Sequence, residues 1–197
     1  VSVFHGAIAA LAARTRDGAT ATFPVAENVH ERHVLFTSRV PARIPPALQD
    51  EAIATALGIA EAFDYVGVLA VEYFVTADGR LLVNEIAPRL HNSGHFTLGG
   101  CQTSQFEQHV RAIAGLPLGA TDLLQPVTMI NLLGDPNRPA VRERVLALPG
   151  AQVHLYGKSP ARPGRKTGHV LVFNGDETKA DALTDTLRAL YEAEGVD

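Results

Sequence analysis

The sequence predicts an α+β fold: an antiparallel sheet with helices set apart from the strands, followed by a small β-rich carboxy-terminal domain. Three observations carry this. In each part the strand-like segments precede the helix-like one instead of alternating with it. Apolar residues within 47–63 recur at helical spacing, whereas 66–76 and 81–86 are apolar runs flanking a turn. The chain has 197 residues, 46% hydrophobic and 19% charged, which suits one globular core plus a small satellite.

The elements follow in order. Residues 2–13 and 19–29 read as antiparallel strands around a turn at Arg16-Asp17-Gly18. Residues 41–46 carry three prolines and form a loop, with Pro46 at the favoured first position of a helix. Leu48, Ala52, Ile53, Ala56, Leu57 and Ala60 mark that helix, 47–63. A hairpin over 66–86 follows, then a glycine-rich loop at 92–100 and a helix at 104–114 that stops at Gly115. Residues 116–119 are the linker, which divides the chain into domains 1–118 and 119–197. The second domain has strands at 127–133, 151–156 and 168–173 and a terminal helix at 176–193. Val1-Ser2-Val3-Phe4 reads as the middle of a strand, as in a chain cut from something longer.

Composition excludes several classes. The net charge is −4 with a pI near 6.1, and no basic stripe with interleaved aromatics appears, so nucleic acid is not an expected partner. No apolar run approaches the roughly 20 residues that span a bilayer, and no membrane association is expected. Residues 7–13 follow no positively charged stretch and are not expected to be a signal peptide. A single cysteine, Cys101, rules out an internal disulfide, fits a cytoplasmic protein, and reads as a small packed residue.

Within the hairpin, Ala77-Asp78-Gly79-Arg80 is the turn. If Asp78-Gly79 forms a two-residue loop, Ala77 pairs with Arg80 and every later pair sums to 157. Glu72 then faces Glu85 in a non-hydrogen-bonded pair, Cβ atoms roughly 5 Å apart, with Ala70, Phe74 and Val83 as neighbours on the same face. Two unit charges at that distance repel by about 3 kcal/mol even at an effective dielectric near 20. The residues leave the compensation open: a hard divalent cation between the carboxylates, an ion pair of one of them with Arg80 or Arg89, or protonation of one carboxyl.

Immediately downstream the chain reads Asn84-Glu85-Ile86-Ala87-Pro88-Arg89-Leu90-His91-Asn92-Ser93-Gly94-His95. An amide, a carboxylate, a guanidinium and two imidazoles leave one strand end and enter a glycine loop, the usual way a scaffold presents polar groups to a ligand. Zinc on His91, His95 and Cys101 is rejected, because the histidines flank a loop and no fourth ligand has the usual spacing. The segment 156–169 gathers Lys158, Arg162, Arg165 and Lys166 around prolines and glycines, which suits either phosphate recognition or a solvated basic hairpin loop.

These strings, with Thr103-Ser104-Gln105-Phe106-Glu107-Gln108-His109, Met129-Ile130-Asn131-Leu132-Leu133-Gly134 and the Arg-Pro-Gly-Arg-Lys-x-Gly-His run ending at His169, resemble the 5-(carboxyamino)imidazole ribonucleotide synthase family of ATP-grasp enzymes, also described as the ATPase subunit of phosphoribosylaminoimidazole carboxylase. The resemblance runs from about residue 19 to the end. It implies the carboxy-terminal portion of such an enzyme: most of the large ATP-grasp lobe plus the tail domain. The implied activity joins aminoimidazole ribonucleotide to bicarbonate at the expense of ATP, in purine biosynthesis in the cytoplasm, through carboxyphosphate.

Position by position, the resemblance implies that Glu72 and Glu85 hold Mg2+ bridging the ATP phosphates. Asn84, Glu85 and His30 belong to the ATP site. Arg89 and His91 line the catalytic site, and Lys158 and Arg165 grip the ribonucleotide phosphate, with Asn92 and Ser93 also binding substrate. Leu90 stands where many relatives have proline, and residues 3–13 follow the family pattern poorly. The amino-terminal half, which covers ATP with a small lobe, is absent from this chain. The fragment is therefore expected to be inactive alone and to need that missing half, the intact enzyme being a homodimer. Two alternatives remain at this point: another ATP-grasp ligase, such as the formate-dependent transformylase of purine metabolism or an amino-acid ligase, and a non-catalytic ribonucleotide-binding module.

Overall fold

The computed structural model describes residues 4–158, 160, 162, 164–173 and 177–193. The strand start predicted at 2–3 and the helix start predicted at 176 lie outside these residues. The described strands are β1 (Phe4–Arg14), β2 (Thr20–Thr22), β3 (Ala26–Glu31), β4 (Val34–Val40), β5 (Gly67–Thr76), β6 (Leu81–Ala87), β7 (Val127–Leu133), β8 (Gln152–Leu155) and β9 (Lys166–Phe173). The helices are α1 (Pro46–Ala62), α2 (Thr97–Gly100), α3 (Gln105–Ile113), α4 (Pro139–Leu146) and α5 (Glu177–Ala193).

All strands join one antiparallel sheet in the order β6-β5-β1-β3-β4-β7-β9-β8, with β2 paired to β1. Strand β7 pairs directly with β4, so the sheet runs unbroken across the position of the predicted linker. Strand β1 is central and buried on both faces, which explains why its sequence shows an apolar run and no alternation. Ile8, Ala10 and Ala12 pack with Leu69, Val71 and Tyr73 under Ala52, Ala56 and Ala60 of α1. The alanine face lets the helix approach closely, and the Tyr73 hydroxyl donates to the Ala52 carbonyl at 2.8 Å. On the opposite face Ala9, Leu11, Ala13, Val68 and Ala70 form a second core with Phe96, Met129 and Leu171. A third core packs Ile130, Leu132, Val170 and Val172 against Val141 and Val145 of α4 and Leu183, Leu187 and Tyr191 of α5.

The structure departs from the sequence reading in identifiable places. The strand predicted at 19–29 is two strands, β2 and β3, parted around Pro24, which has no N–H to give to a ladder. Strand β4 had no predicted counterpart. Its hairpin with β3 turns on Arg32 and His33, both in the left-handed region at φ 48° and 65°, without the Gly or Asn that marks such turns. Helix α4 is eight residues long and exposes its arginines, too short a span for its spacing to mark it in the sequence.

Candidate active site

The site begins with the β5–β6 hairpin. Its loop has three residues, not two: the Thr76 N–H donates to the Arg80 carbonyl, Gly79 has φ 76°, and the first pairs sum to 156, Val75 with Leu81, Phe74 with Leu82 and Tyr73 with Val83. A bulge between Tyr73 and Glu72 then absorbs Asn84, and Glu72 pairs with Glu85. The expected acidic pair is therefore present, reached through two one-residue displacements that cancel. Val83 pairs with Tyr73 and so leaves the acidic face, where Leu82 takes the place expected for it. The bulge has a chemical effect: Asn84 and Glu85 both line the same cleft, and Asn84 hydrogen-bonds the Glu72 carboxylate.

That cleft, of about 750 Å³, opens on the sheet face away from α1. Ala7, Asn28, Leu35 and Phe74 line its floor, and Glu72, Asn84, Glu85, His30, Arg89, His91 and Lys166 supply its polar groups. Glu72 is 8% exposed, and burial, then the charge of Glu85, raises its pKa above the usual carboxylate value, while Lys166 and Arg89 oppose the rise. The alternative partner Arg89 does reach Glu85, but at 3.9 Å and with both side chains more than half exposed, a geometry worth little. Arg80 is turned to Asp78 instead. Burial depresses the pKa of Lys166, which Glu72 pulls back upward.

His91 caps the short 3-10 turn Asn92–Gly94. Its Nδ1 accepts from the Ser93 N–H at 3.4 Å and lies 2.7 Å from Ser93 Oγ, which leaves the proton on Nε2, 3.8 Å from Glu72 Oε1. Burial first, and Arg89 second, push its pKa down to about 4. At neutral pH it is a neutral imidazole presenting an N–H donor to the cleft. His30 lies behind a second bulge in the β3–β4 ladder, its pKa also lowered by burial.

Not every expected site residue reaches this cleft. Ser93 is consumed by His91, and Asn92 exchanges amide bonds with Asn131 at 3.0 and 2.7 Å. Lys158 lines a smaller neighbouring cleft with Asp135, Asn137 and Thr167, its ammonium 5.1 Å above the Tyr156 ring. Arg165 donates to the Pro160 carbonyl. Conversely, Lys166 and Asn28 enter the cleft without having been singled out as site residues. Lys166 stood in the basic string, but which of its cations faces Glu72 depends on the β7–β9 register. Asn28 Nδ2 is buried without a partner among the described residues while its Oδ1 accepts from Ser38, and no local pattern marks it. Cys101 sits in the apolar core with its thiol pushed up to about 12, as a packed residue would.

Comparison with known proteins identifies the scaffold. Residues 2–106 match the ATP-grasp domain, and residues 127–183 match the phosphoribosylaminoimidazole carboxylase C-terminal domain. The chain is 50% identical over 167 residues to the N5-carboxyaminoimidazole ribonucleotide synthase of Bacillus subtilis, covering 85% of this chain and 44% of that protein. The Synechococcus elongatus synthase is 49% identical, with 96% and 50% covered. Among solved structures, an N5-carboxyaminoimidazole ribonucleotide synthetase in its ADP complex is 45% identical with a TM-score of 0.87, covering 96% of this chain and 50% of that one. The Aspergillus clavatus synthase in complex with ADP and 5-aminoimidazole ribonucleotide is 35% identical with a TM-score of 0.89, covering 96% and 53%. The chain thus spans about half the length of the curated relatives it matches. Its matched residues, its sheet and the acidic hairpin agree, and the chain belongs to the ATP-grasp family.

Proposed function

We propose that this chain forms the large-lobe half of the active site of an ATP-dependent ligase that carboxylates the amine of 5-aminoimidazole ribonucleotide with bicarbonate. The observation that carries this reading is the Glu72–Glu85 pair, with Asn84 bulged beside it and Arg89, His91 and Lys166 facing it across one cleft. Two carboxylates and an amide oxygen are hard donors that fit Mg2+, and no cluster of three or more acidic, histidine or cysteine ligands exists among the described residues. The remaining ligands would then come from nucleotide phosphates and water, the way Mg2+ is commonly held. When bound, the ion offsets phosphate charge during γ-phosphoryl transfer.

The chain's own residues account for the rest. Arg89 and Lys166 offer positive charge to an anionic bicarbonate-derived intermediate, and His91 Nε2–H donates a hydrogen bond to it. Asn28 Nδ2 supplies one more donor at the cleft floor. Attack by a bicarbonate oxygen on the γ-phosphorus releases ADP. Attack by the substrate amine on the resulting carbonyl carbon then releases phosphate, and the amine loses a proton. Lys158 and Arg165, beside the cleft, are assigned to the ribonucleotide phosphate, with Asn92 and Ser93 shaping the loop between the two sites. The division into domains 1–118 and 119–197, a cytoplasmic location and a homodimeric complete enzyme belong to the same proposal. No helix among the described residues is long and apolar enough to cross a membrane.

The test joins this chain to an amino-terminal half of the relatives' kind and measures ADP release. Release that requires both bicarbonate and aminoimidazole ribonucleotide is expected, and none from the 197-residue chain alone. Dependence on formate would assign the transformylase reaction instead, and ribonucleotide binding without turnover in the complete protein would assign a binding module.

A further inference from the structure

Gln105 opens α3 and is fully buried, and its side chain is spent entirely on the loop that carries His91. The His91 N–H donates to Gln105 Oε1 at 3.0 Å, and Gln105 Nε2 donates to the His91 carbonyl at 2.7 Å. These are the two bonds a neighbouring strand would make, so they settle the orientation of the amide: only oxygen can accept from the N–H and only nitrogen can donate to the carbonyl. The second hydrogen of Nε2 points to His95 Nδ1 at 2.8 Å, which must then be an unprotonated acceptor. The neighbourhood is built around this amide. The Gln105 N–H donates to Thr97 Oγ1, whose hydroxyl donates to the Gly94 carbonyl. A Cβ on Gly94 would lie 2.7 Å from Gln105 Oε1 and 2.2 Å from a Leu11 methyl, so only glycine admits the glutamine here.

We propose that Gln105 is a positioning residue: by pairing with both main-chain groups of His91 it aims that imidazole's Nε2–H at Glu72 and the cleft, and by donating to Nδ1 it holds His95 in the Nε2–H tautomer. His95 lies beside the His169 and Tyr156 rings, at centroid distances of 5.3 and 5.9 Å, and Lys158 sits over Tyr156. Gln105 is thus the shared support of the acidic cleft and the basic loop. The main-chain bonds stand by themselves. The catalytic consequence rests on the proposed ligase reaction, where a misplacement of about 1 Å can cost about 100-fold in rate.

Two measurements on the unmodified 197-residue chain come first. Imidazole nitrogen-15 shifts should show His95 Nδ1 unprotonated, and the His91 amide should exchange slowly although it lies in a loop. A protonated His95 Nδ1, or a freely exchanging His91 amide, overturns the proposal whatever the activity. Gln105→Glu then keeps the acceptor for the His91 N–H but removes both donors, and it should move a proton onto His95 Nδ1. In the complete enzyme Gln105→Glu and the apolar isostere Gln105→Met should each lower kcat about 100-fold, with the KM for Mg-ATP changed less than threefold. A folded variant with unchanged kcat, or one whose KM rises while kcat holds, overturns the positioning role. If the unmodified complete enzyme shows no bicarbonate-dependent turnover, the ligase reading fails while the two measurements on the chain still decide the placement of His91 and His95.

Discussion

Two like-for-like pairs face each other across neighbouring strands at opposite ends of the sheet: Glu72 with Glu85 in β5–β6, and His154 with His169 in β8–β9. Both pairs are antiparallel cross-strand partners, and the outcome differs. The imidazoles stack at 4.6 Å with an 18° interplanar angle, and burial lowers both pKa values, that of His169 to about 3. The Tyr156 hydroxyl, its own pKa raised by burial, hydrogen-bonds His169 Nδ1 at 2.8 Å. The carboxylates have no such exit. An imidazole sheds its charge at neutral pH with small help from burial, whereas a carboxyl must climb more than two units to become neutral. A like pair of histidines therefore packs as an aromatic core, and a like pair of glutamates asks for a counter-charge.

The largest expected effect breaks the acidic end. In the complete enzyme Glu85→Gln should reduce kcat on the order of 1,000-fold, the loss typical of removing a group that stabilises transition-state charge. The same substitution in the metal-free 197-residue chain should raise the thermal midpoint by a few degrees, because the solvent-screened part of the repulsion on Glu72 is relieved. A lowered midpoint would show that Arg89 already neutralises the pair.

Acid sharpens the contrast, because it acts with opposite sign on the buried histidines and on Glu72. The folded pKa values of His95 and His169 lie below the unfolded value of 6.5, at about 4 and about 3, so below 6.5 the unfolded chain binds protons that the folded chain refuses. Their contribution is complete above pH 6.5 and is lost progressively as the pH falls toward 4, by roughly 2 kcal/mol for each at pH 5. Glu72, raised above 4.5, binds its proton first in the folded state and so gains stability over part of that fall. Denaturant melts between pH 7 and 5 should therefore show a net loss, and a larger one in Glu72→Gln, which lacks the opposing gain. A flat profile would mean that the histidine cluster is hydrated.

Under the proposed function, the basic loop beside the histidine end takes the ribonucleotide phosphate. Arg165→Ala in the complete enzyme should weaken acceptor binding by about 1.5–3 kcal/mol, the range for a charge-assisted hydrogen bond, and leave Mg-ATP affinity nearly unchanged. Titration of each substrate separates these effects, and an equal loss for both would make the loop a solvated surface. The smallest effect is expected from the ion alone. At a concentration tenfold above its dissociation constant, Mg2+ should stabilise the isolated chain by about 1.4 kcal/mol, and Glu72→Gln should abolish this.

How much of this was legible in the sequence varies with the range of the interactions involved. Helix α1, with Pro46 at its start and its apolar spacing, and the β5–β6 hairpin with Gly79 at its turn, follow from neighbours in the chain. The acidic pair was read correctly by a route only partly right, since the three-residue loop and the bulge at Asn84 each displace the register by one. Strand β4 escaped because its turn uses Arg32 and His33 in conformations that their residue types do not announce. The cleft's second set of groups escaped for another reason. Lys166 lines the same cleft as Glu72 only because β9 pairs with β7 and β7 with β4.

By itself, then, the sequence determined the α+β class, most elements, the acidic pair and the ordered strings that resemble ATP-grasp enzymes. All of these depend on short-range spacing and residue type, which a chain carries whether folded or not. Only the tertiary structure decided which cations face the acids, that Ser93 and Asn92 serve the loop, and that Gln105 joins His91 to His95. Such choices depend on strand order and on bonds between residues far apart in the chain. Whether a polar group is spent inside the fold or left for a ligand is known only when every neighbour is in place.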